Sequence, residues 1–507
     1  MNYNKQKNNN NSINNNKEMF WKKLAVILFW LCIWQFAAKY TNNSILLVGP
    51  IQAGHAFWEN IFRPDFWNIV LHSFGRIGLG FLTALLTGII LGASAYRFKL
   101  IEAFLEPLMT VIKSVPVVSF VVLLLIWFGS ANLSFFISFL VVLPNVYVNT
   151  IAGLRNTDRD LIQMAQVFHI GGLNRFFYIY RPAFMPYLMS ALKISLGMSW
   201  KSGVAAEIIG LPQYSLGERL YMSKVYLDTA GLFSWTLIII LLSFAFEKAV
   251  LYLVKRFDIW EPIPVYGKKA GDKYVRDAVQ GDKEENVQIY LKNICKSYNE
   301  QKVIDDFSYT FEQGGHYCLM APSGAGKTTL LKLICGIESL DSGMIEGRPG
   351  HVGMVFQEDR LCERYNVITN IMLTAADSRS SGNEMAADVN KSTGAGKKAD
   401  DFMKVRKEAL CLLPESCLNK PVSELSGGMK RRCAILRAML SGSEIIIMDE
   451  PFNGLDEENR RKAALYILER LNGRTLIITT HRDEDIELFN KLSPDIRKEM
   501  LVFSKRL

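Results

Sequence analysis

The sequence predicts two domains of different class: an all-α membrane bundle of about six helices, then an α/β domain with a largely parallel sheet and a helical subdomain. The 507 residues are 50% hydrophobic although 21% of them are charged. Almost all long apolar runs precede about Val254, and almost all dense charge follows it. We therefore predict a disordered tail over 1–20, a membrane domain over 21–256, a linker over 257–286 and the α/β domain over 287–507.

The overall charge and the cysteines argue against two other classes. A net charge of +9 would suit a nucleic-acid-binding protein, but the basic residues lie beside apolar segments and form no basic-aromatic stripe. We therefore expect no nucleic-acid partner, because the orientation of membrane helices accounts for the same charges. The eight cysteines form no CxxC pair and no Cys/His cluster at metal spacing, which predicts free thiols in a reducing compartment.

Six apolar segments are candidates for membrane helices, each of which needs about 20 mostly apolar residues to cross the hydrocarbon core. They cover residues 24–38, 77–95, 115–128, 133–148, 186–210 and 232–254, and the third is expected to begin near Leu108. The first follows Lys22 and Lys23, as the apolar part of a signal peptide would, but no small-residue cleavage site comes after it. Further apolar segments do follow, which favours a membrane helix.

Positive residues between the predicted spans indicate their orientation. If the N-terminus is cytoplasmic, the long connection between the fourth and fifth spans is cytoplasmic too, and it contains Arg155, Arg159, Arg175 and Arg181. The connections on the other side contain fewer Lys and Arg residues, in accordance with the rule that positive loops stay inside. An even number of spans then leaves the C-terminal domain in the cytoplasm.

Three ionisable residues fall within the fifth predicted span: Lys193, Lys201 and Glu207. Charges inside a membrane are costly and usually face the protein interior or a pathway. Lys201 and Glu207 are six positions apart, which separates them by about 120° around a helix. Two interpretations stay open: a role in a pathway, or a Glu207 near the outer interface with Lys193 reaching back to the inner one.

The first motif of the α/β domain follows a predicted buried strand, HYCLM at 316–320. The next residues, APSGAGKTT, fit the phosphate-binding loop G-x-x-x-x-G-K-[ST], except that Ala321 replaces its first glycine. Small residues let successive backbone N–H groups turn toward phosphates, while Lys327 adds a positive charge and Thr328 offers a hydroxyl to Mg²⁺. The predicted nucleotide-binding residues of this loop are Ser323, Gly324, Ala325, Gly326, Lys327, Thr328 and Thr329.

A second predicted buried strand ends in two carboxylates, within EIIIMDEP at 444–451. An aspartate linked to Mg²⁺ is needed at the end of a strand beside the phosphate loop, so Asp449 is a predicted metal residue together with Thr328. Glu450 then stands where it can polarise the attacking water. The alternative is a solvated strand end without a chemical role.

LSGGM at 425–429 resembles the signature motif LSGGQ of ABC ATPases, with Met429 in place of glutamine. In that family the motif completes the ATP site of the opposite subunit. The resemblance therefore implies that Ser426, Gly427 and Gly428 contact the nucleotide of a second copy of the chain. They open a helix whose N-terminus suits a γ-phosphate.

Further positions of the ABC family occur in the expected order. The resemblance implies that Tyr298 stacks on adenine and that Gln357 reaches Mg²⁺ and the attacking water. It also implies that Asp456 belongs to the loop after the catalytic glutamate and that His481 senses the γ-phosphate. Without the other motifs, Tyr298 would be interpreted as an ordinary aromatic residue of a strand, and His481 as a histidine of the protein core. The implied fold is a phosphate-loop NTPase of the ABC type, with ATP and Mg²⁺ as ligands and ATP hydrolysis as the reaction.

The membrane half resembles the permease subunits of bacterial nitrate/sulfonate/taurine-type ABC importers, in SALKISLGMSWKSGVAAEIIG at 190–210 and in the loop before it. That family's loop carries an EAA…G…I-x-L-P pattern. Ala165, Ile179 and Pro182 match the pattern, whereas Gln163 and His169 stand where Glu and Gly are usual. The resemblance implies that a short helix of this loop docks in a groove of the ATPase.

Together, the two resemblances imply one half of an ATP-driven importer of the type I architecture. The implied partners are a second copy of the chain, an extracytoplasmic solute-binding protein, a small-molecule solute and the lipid bilayer. The implied location is the bacterial cytoplasmic membrane, with the N-terminus and the ATPase domain in the cytoplasm. The expected solute is a small anion of the nitrate, sulfonate or taurine type, to which Lys201 would be the counter-charge. The alternative is a neutral or cationic heterocycle that stacks on Trp200.

Three other functions fit the sequence less well. An exporter can have the same domain order, but it would have long cytoplasmic helical extensions and no EAA-like loop. Six predicted spans argue against a soluble ABC ATPase of repair or translation. An inactive ATPase that serves only for binding is disfavoured because Lys327, Asp449, Glu450 and His481 are all present.

Overall fold

The computed structural model describes residues 2–43, 45–259, 288–299, 301–321, 324–375, 394–492 and 497–500. The chain divides into two compact units. The first comprises Met1–Asn156 and Phe184–Trp260, and the second comprises Thr157–Ala183 and Glu261–Leu507. A short inserted segment (Thr157–Ala183) therefore groups with the C-terminal half. Most of the predicted linker lies outside the described residues, and the predicted domain boundaries stay predictions.

The first unit is built from helices in its described part. In chain order, the helices up to residue 259 are α1 (Asn2–Thr41), α2 (Pro50–Ile61), α3 (Phe66–Arg97), α4 (Lys99–Ser114), α5 (Val117–Phe128), α6 (Leu133–Arg155), α7 (Arg159–Val167), α8 (Gly172–Arg175), α9 (Arg181–Gly210), α10 (Leu216–Val225) and α11 (Thr229–Ile259), of which α7 and α8 lie in the inserted segment. Helix α1 includes the backbone of residues 2–20, for which the sequence predicts a disordered tail, and that tail stays a prediction. Extending a formed helix adds one hydrogen bond per residue without the cost of a new nucleus.

Four helices in the described part of the chain are long and apolar enough to cross a membrane: α3, α6, α11 and the stretch Leu24–Thr41 of α1. Helices α4 and α5 together make a fifth candidate, although they meet at an angle of 102°. The bend follows from Pro116, which restricts the residue before it to an extended conformation and so ends α4. The predicted span 186–210 lies in α9, whose serines and charged residues keep it outside this group. By length and composition, the described residues thus give four spans, or five with the bent pair, and α9, which contains the sixth predicted span, is long enough to cross but more polar.

Helices α3 and α6 pack closely because glycines of α3 face α6. A Cβ atom added at Gly80 would lie 2.4 Å from the carbonyl oxygen of Phe135, and one at Gly92 would lie 2.7 Å from Cβ of Thr150. Gly75, on the same helix, has nothing within 4 Å of such an atom. Membrane helices associate through small residues in this way, because apolar side chains gain little by leaving lipid.

Glu207 is fully buried within the first unit. Its Oε2 accepts hydrogen bonds from Ser73 Oγ at 2.8 Å and from the backbone N–H of Gly217 at 3.2 Å. The hydroxyl of Ser73 also accepts the backbone N–H of Leu216 at 2.9 Å. Glu207 therefore joins α9 to α3 and to the N-terminus of α10, and faces the protein interior.

The C-terminal part of the second unit alternates strands and helices, as predicted. Its elements are β1 (Ile289–Tyr298), β2 (Gln301–Phe311), β3 (His316–Met320), α12 (Lys327–Ile334), β4 (Ser342–Glu346), β5 (Val352–Val355), α13 (Val367–Met372), α14 (Gly394–Leu412), α15 (Glu415–Leu418), α16 (Gly427–Met439), β6 (Ile445–Asp449), α17 (Glu457–Glu469), β7 (Thr475–Thr480), α18 (Asp483–Leu492) and β8 (Arg497–Met500). Strands β2, β1 and β4 form an antiparallel sheet in that order. Strands β5, β6, β7, β3 and β8 form a parallel sheet in that order, and β6 and β7 are entirely buried.

The inserted segment packs against the C-terminal part of its own unit, with α7 beside β5. The guanidinium of Arg360 pairs with Asp160 at 2.9 Å and donates to Gln163 Oε1 at 2.8 Å. The hydroxyl of Tyr365 donates to the carbonyl oxygen of Phe177 at 3.0 Å. A short helix of this loop therefore contacts the ATPase-like part of the chain, as the resemblance implies.

The two departures from the importer loop pattern both have a structural account. Gln163 supplies the amide oxygen that Arg360 contacts. His169 has a φ of +49°, the left-handed region that glycine enters freely and that costs another residue about 1 kcal/mol. The backbone there keeps the conformation for which glycine is usual, and the N–H of His169 donates to the carbonyl oxygen of Gln166 at 3.1 Å.

All eight cysteines are free in the structure, in agreement with the prediction from their spacing. Burial raises the pKa of Cys335, Cys362 and Cys433 to about 12. These three thiols therefore stay protonated and unreactive at neutral pH, because the thiolate is the nucleophile.

Candidate active site

The parallel sheet brings several predicted site residues to one edge. Met320 is in register with Thr480, and Asp449 with Thr479, so strands β3, β6 and β7 end level with one another. Strand β5 pairs with the other side of β6 and ends at Val355. Because the carboxyl ends of parallel strands meet at the same edge, the loops that follow these strands form one site.

The phosphate-binding loop lies between β3 and α12. Gly324 and Gly326 have φ of +80° and +98°, a region that glycine enters without a Cβ clash. Ala321 is not among the described residues with positive φ, so its methyl group is tolerated where the motif usually has glycine. Lys327 begins α12, and its ammonium group donates to the carbonyl oxygen of Ala321. Ser323 lies outside the described residues.

The carboxylate of Asp449 is 2% exposed and is held by two hydroxyl groups. Thr328 Oγ1 donates to Oδ2 at 2.7 Å, and Thr479 Oγ1 donates to Oδ1 at 2.5 Å. Carboxylate and hydroxyl oxygens are the hard ligands that Mg²⁺ prefers, commonly together with phosphate oxygens and water. The described residues include no cluster of three or more His, Cys, Asp or Glu that would hold a metal by itself. We propose that Thr328 and Asp449 hold Mg²⁺ together with the phosphates of ATP.

Glu450 follows β6 in a strained conformation beside His481. Its φ of +48° lies in the left-handed region and costs on the order of 1 kcal/mol. The backbone N–H of Glu450 donates to the carbonyl oxygen of Thr479 at 3.1 Å. One carboxylate oxygen lies 3.0 Å from Nδ1 of His481, whose side chain is half exposed. We propose that Glu450 polarises the attacking water and that His481 contacts the γ-phosphate.

Tyr298 ends β1 with its ring partly exposed. Its hydroxyl donates to the carboxylate of Glu338, and the ammonium group of Lys296 lies 5.6 Å from the ring centroid. Burial, and then the bond to Glu338, raises the pKa of Tyr298 to about 12, so the phenol is neutral at physiological pH. A neutral and partly exposed ring is suited to stack on a base.

Replacing Tyr298 by alanine is expected to weaken ATP binding about tenfold, because stacking on an aromatic ring contributes about 1–3 kcal/mol per base. Tyr298→Phe keeps the ring and loses only the hydroxyl, so this variant should bind ATP nearly as well as the parent. Titration with a fluorescent ATP analogue measures the affinity of both variants for ATP. Equal losses in the two variants would show that the hydroxyl matters and the ring does not.

The remaining predicted residues lie at helix ends or in a loop. Ser426 caps α16 by accepting the backbone N–H of Met429 at 3.4 Å, and Gly427 and Gly428 form the first turn. Asp456 caps α17 by accepting the backbone N–H of Asn459 at 2.8 Å, and this bond lowers the pKa of Asp456. Gln357 follows β5 and is exposed. Among the described residues, no hydrogen bond joins the side chains of Ser426, Asp456 or Gln357 to the phosphate loop.

Arg431 belongs to none of the motifs that the sequence predicts, yet it lies in α16 beside the site and is 4% exposed. Its guanidinium donates to the carbonyl oxygens of Gln357 at 2.9 Å and Glu450 at 3.1 Å. Burial lowers the pKa of Arg431, since the charged form is desolvated. Helical spacing places Arg431 on the same face as the apolar Ile435 and Ala438. An arginine on an apolar helix face could have been recognised in the sequence as a candidate buried cation.

The gathered residues define a phosphate-loop ATPase site. Comparison with known proteins extends this result. A family model described as ABC transporter matches residues 304–453, and one described as binding-protein-dependent transport system inner membrane component matches residues 84–259. An aliphatic sulfonates import ATP-binding protein of Rhodococcus jostii is 34% identical over 207 residues, which cover 39% of this chain and 75% of the relative.

A second relative, an Fe(3+) ions import ATP-binding protein of Haemophilus influenzae, is 30% identical over 228 residues, which cover 41% of this chain and 60% of the relative. Among solved structures, the dimeric form of a bacterial ABC transporter cassette is 24% identical with a TM-score of 0.33, and the match covers 39% of this chain and 90% of that one.

The chain belongs to the ABC transporter family. It joins the permease domain and the ATPase domain of an importer in one polypeptide, so hydrolysis of ATP by the second domain is coupled to transport through the first.

Proposed function

We propose that two copies of this chain form a transporter in the bacterial cytoplasmic membrane, with the N-terminus and the ATPase domain in the cytoplasm. In this proposal a separate extracytoplasmic solute-binding protein delivers a small anion of the nitrate, sulfonate or taurine type. The two relatives are named for aliphatic sulfonates and for Fe(3+) ions, which differ in charge. Similarity to these ATP-binding proteins therefore does not select a solute. The support for an anionic solute comes from the membrane domain.

The pairing of two copies is supported by the number and position of the nucleotide motifs. The chain contains one phosphate loop and one signature motif. Ser426 opens α16 and forms no hydrogen bond with Lys327 within the described part of its own chain. A two-fold interface would place each signature motif against the phosphate loop of the other copy, so both motifs would be used.

The anionic nature of the solute is supported by one exposed face of α9, which carries two lysines. The exposed residues of this helix after its first turn are Pro186, Ser190, Lys193, Ile194, Met198, Lys201, Ala205 and Ile209. Lys201 has no acidic partner among the described residues, and Glu207 lies buried on another face of the helix. A positive helix face without a counter-charge suits a passing anion and repels a cation.

The alternative solute, a heterocycle that stacks on Trp200, is less compatible with this helix. Trp200 is 1% exposed, and its ring centroid lies 6.0 Å from those of Phe74 and Phe246. The rings of Phe74 and Phe246 also contact each other, with centroids 5.3 Å apart, so the three rings form one buried cluster that leaves no face of the indole free for a solute. Trp200 therefore acts as a core residue of the membrane domain.

Replacing Lys201 by methionine is expected to reduce uptake of a small anion at least about tenfold, because the variant offers no counter-charge in the pathway. Lys201→Arg keeps the charge and should retain most of the uptake. The measurement is uptake of labelled taurine and nitrate into proteoliposomes supplied with a solute-binding protein that binds these anions, with ATP hydrolysis followed in parallel. Unchanged uptake by Lys201→Met would contradict the anion proposal.

A further inference from the structure

We propose that Arg431 is a positioning residue that couples the two ATP sites of the dimer. It would transmit contact at the signature motif to Glu450 of the same chain. The inference rests on the pairing of two copies and on the role of Glu450 proposed above. It goes beyond them because it assigns communication between the sites to one side chain.

Arg431 joins three chain segments through one buried cation. Its Nη1 donates to the carbonyl oxygen of Phe356 at 2.6 Å and to Asp359 Oδ1 at 3.1 Å. Its Nη2 donates to the carbonyl oxygens of Gln357 at 2.9 Å and Glu450 at 3.1 Å. The planar fork of an arginine suits several acceptors at fixed directions, which the single ammonium of lysine does not. The segment after β5 and the loop after β6 are therefore both held to α16.

The position of Arg431 along α16 connects it to the signature motif. Ser426 caps this helix, and Arg431 follows five residues later, about 7.5 Å along the axis. In the proposed dimer the N-terminus of α16 meets the nucleotide of the other copy. Since the helix is continuous from Gly427 to Met439, a displacement at its N-terminus also displaces the guanidinium.

The conformation of Glu450 makes it responsive to such a displacement. Its φ of +48° is unfavourable for glutamate, so neighbouring contacts must hold it in place. The N–H side is held by Thr479, and the carbonyl side is held by Arg431. If the hydrogen bond from Arg431 to the Glu450 carbonyl oxygen changes, the direction of the Glu450 side chain relative to the phosphate loop changes too.

Two other arginines of α16 provide a comparison, because neither bonds to Glu450. Arg437 is 1% exposed and donates to the carbonyl oxygens of Arg360 at 2.6 Å and Asp359 at 3.0 Å. Arg432 donates to the carbonyl oxygen of Leu412 at 2.6 Å and to Asn459 Oδ1 at 2.8 Å. Arg437 and Arg431 are therefore both buried arginines of α16. They differ because, among the described residues, only Arg431 of the two donates a hydrogen bond to Glu450 in the loop after β6.

The test is the dependence of ATP hydrolysis on ATP concentration in the full-length chain. For Arg431→Gln we expect kcat to fall about tenfold and the Hill coefficient to fall from above 1 in the parent to about 1, since the two sites would act independently. Binding of a fluorescent ATP analogue should be unchanged, because the phosphate loop is intact. The Hill coefficient of Arg431→Lys should lie between those of the parent and of Arg431→Gln. Arg437→Lys should keep the parental Hill coefficient.

The inference is overturned if Arg431→Gln keeps the parental Hill coefficient, if the parent itself shows a coefficient of 1, or if Arg437→Lys lowers it equally. A thermal unfolding midpoint is recorded for each variant. If Arg431→Gln does not fold, the coefficient of Arg431→Lys decides the question. Glu450→Gln is assayed in parallel: retained hydrolysis in that variant would instead refute the proposed role of Glu450.

Discussion

The Glu450→Gln variant is expected to hydrolyse ATP about 100-fold more slowly than the parent, or slower still, because general-base assistance contributes at least this much. Glutamine has the same shape but lacks the negative charge that polarises the water. The backbone contacts of this position with Thr479 and Arg431 use the N–H and the carbonyl group, so they are unaffected. ATP binding should persist, and bound ATP should remain with the protein through gel filtration. Phosphate release and the retained nucleotide are the two measurements.

Glu457→Gln is the matched control for this prediction. It makes the same chemical change at an exposed position in the first turn of α17. Hydrolysis by this variant should equal that of the parent. If Glu450→Gln also hydrolysed ATP at nearly the parental rate, another group would have to activate the water.

The Gly80→Val variant is expected to lower the free energy of unfolding by about 1–3 kcal/mol, the usual cost of forcing extra methyl groups into a packed interface. A Cβ at this position would lie 2.4 Å from the carbonyl oxygen of Phe135, so α3 and α6 must move apart. Thermal unfolding of the detergent-solubilised chain should show a lower midpoint and a smaller yield of monodisperse protein.

Gly75→Val provides the control, because it places valine on the same helix where nothing lies within 4 Å of the new Cβ. Its unfolding midpoint should stay close to that of the parent. Equal losses in the two variants would attribute the effect to helix propensity or to lipid contact, and the close approach of α3 to α6 would not be the cause.

Much of the ATPase site was predictable, because its motifs are local and the parallel strands order them. A buried strand followed by small residues and Lys327 predicts a phosphate loop, and a buried strand that ends in Asp449 and Glu450 predicts the neighbouring carboxylates. The structure places them together because β3, β7 and β6 are neighbours in one sheet. The proximity of His481 to Glu450 follows from the same strand order.

The helical half was predicted less completely. Apolar length identifies α3, α6 and α11 as spans, but it does not show how α4 and α5 bend at Pro116. Periodicity correctly placed Lys201 and Glu207 on different faces of α9. Which of the two is buried depends on α3 and α10, which supply the hydrogen-bond partners of Glu207.

The sequence by itself determined the two classes of domain, the order of the nucleotide motifs and the identity of the residues at the edge of the sheet. Each of these depends on a short stretch of chain with its own periodicity or turn chemistry. The tertiary structure alone decided that Arg431 holds Gln357 and Glu450, and that Asp160 pairs with Arg360. Arg431 and Gln357 are 74 positions apart, and Gln163 and Arg360 are 197 apart. Such contacts depend on strand order and helix packing, which no local pattern encodes.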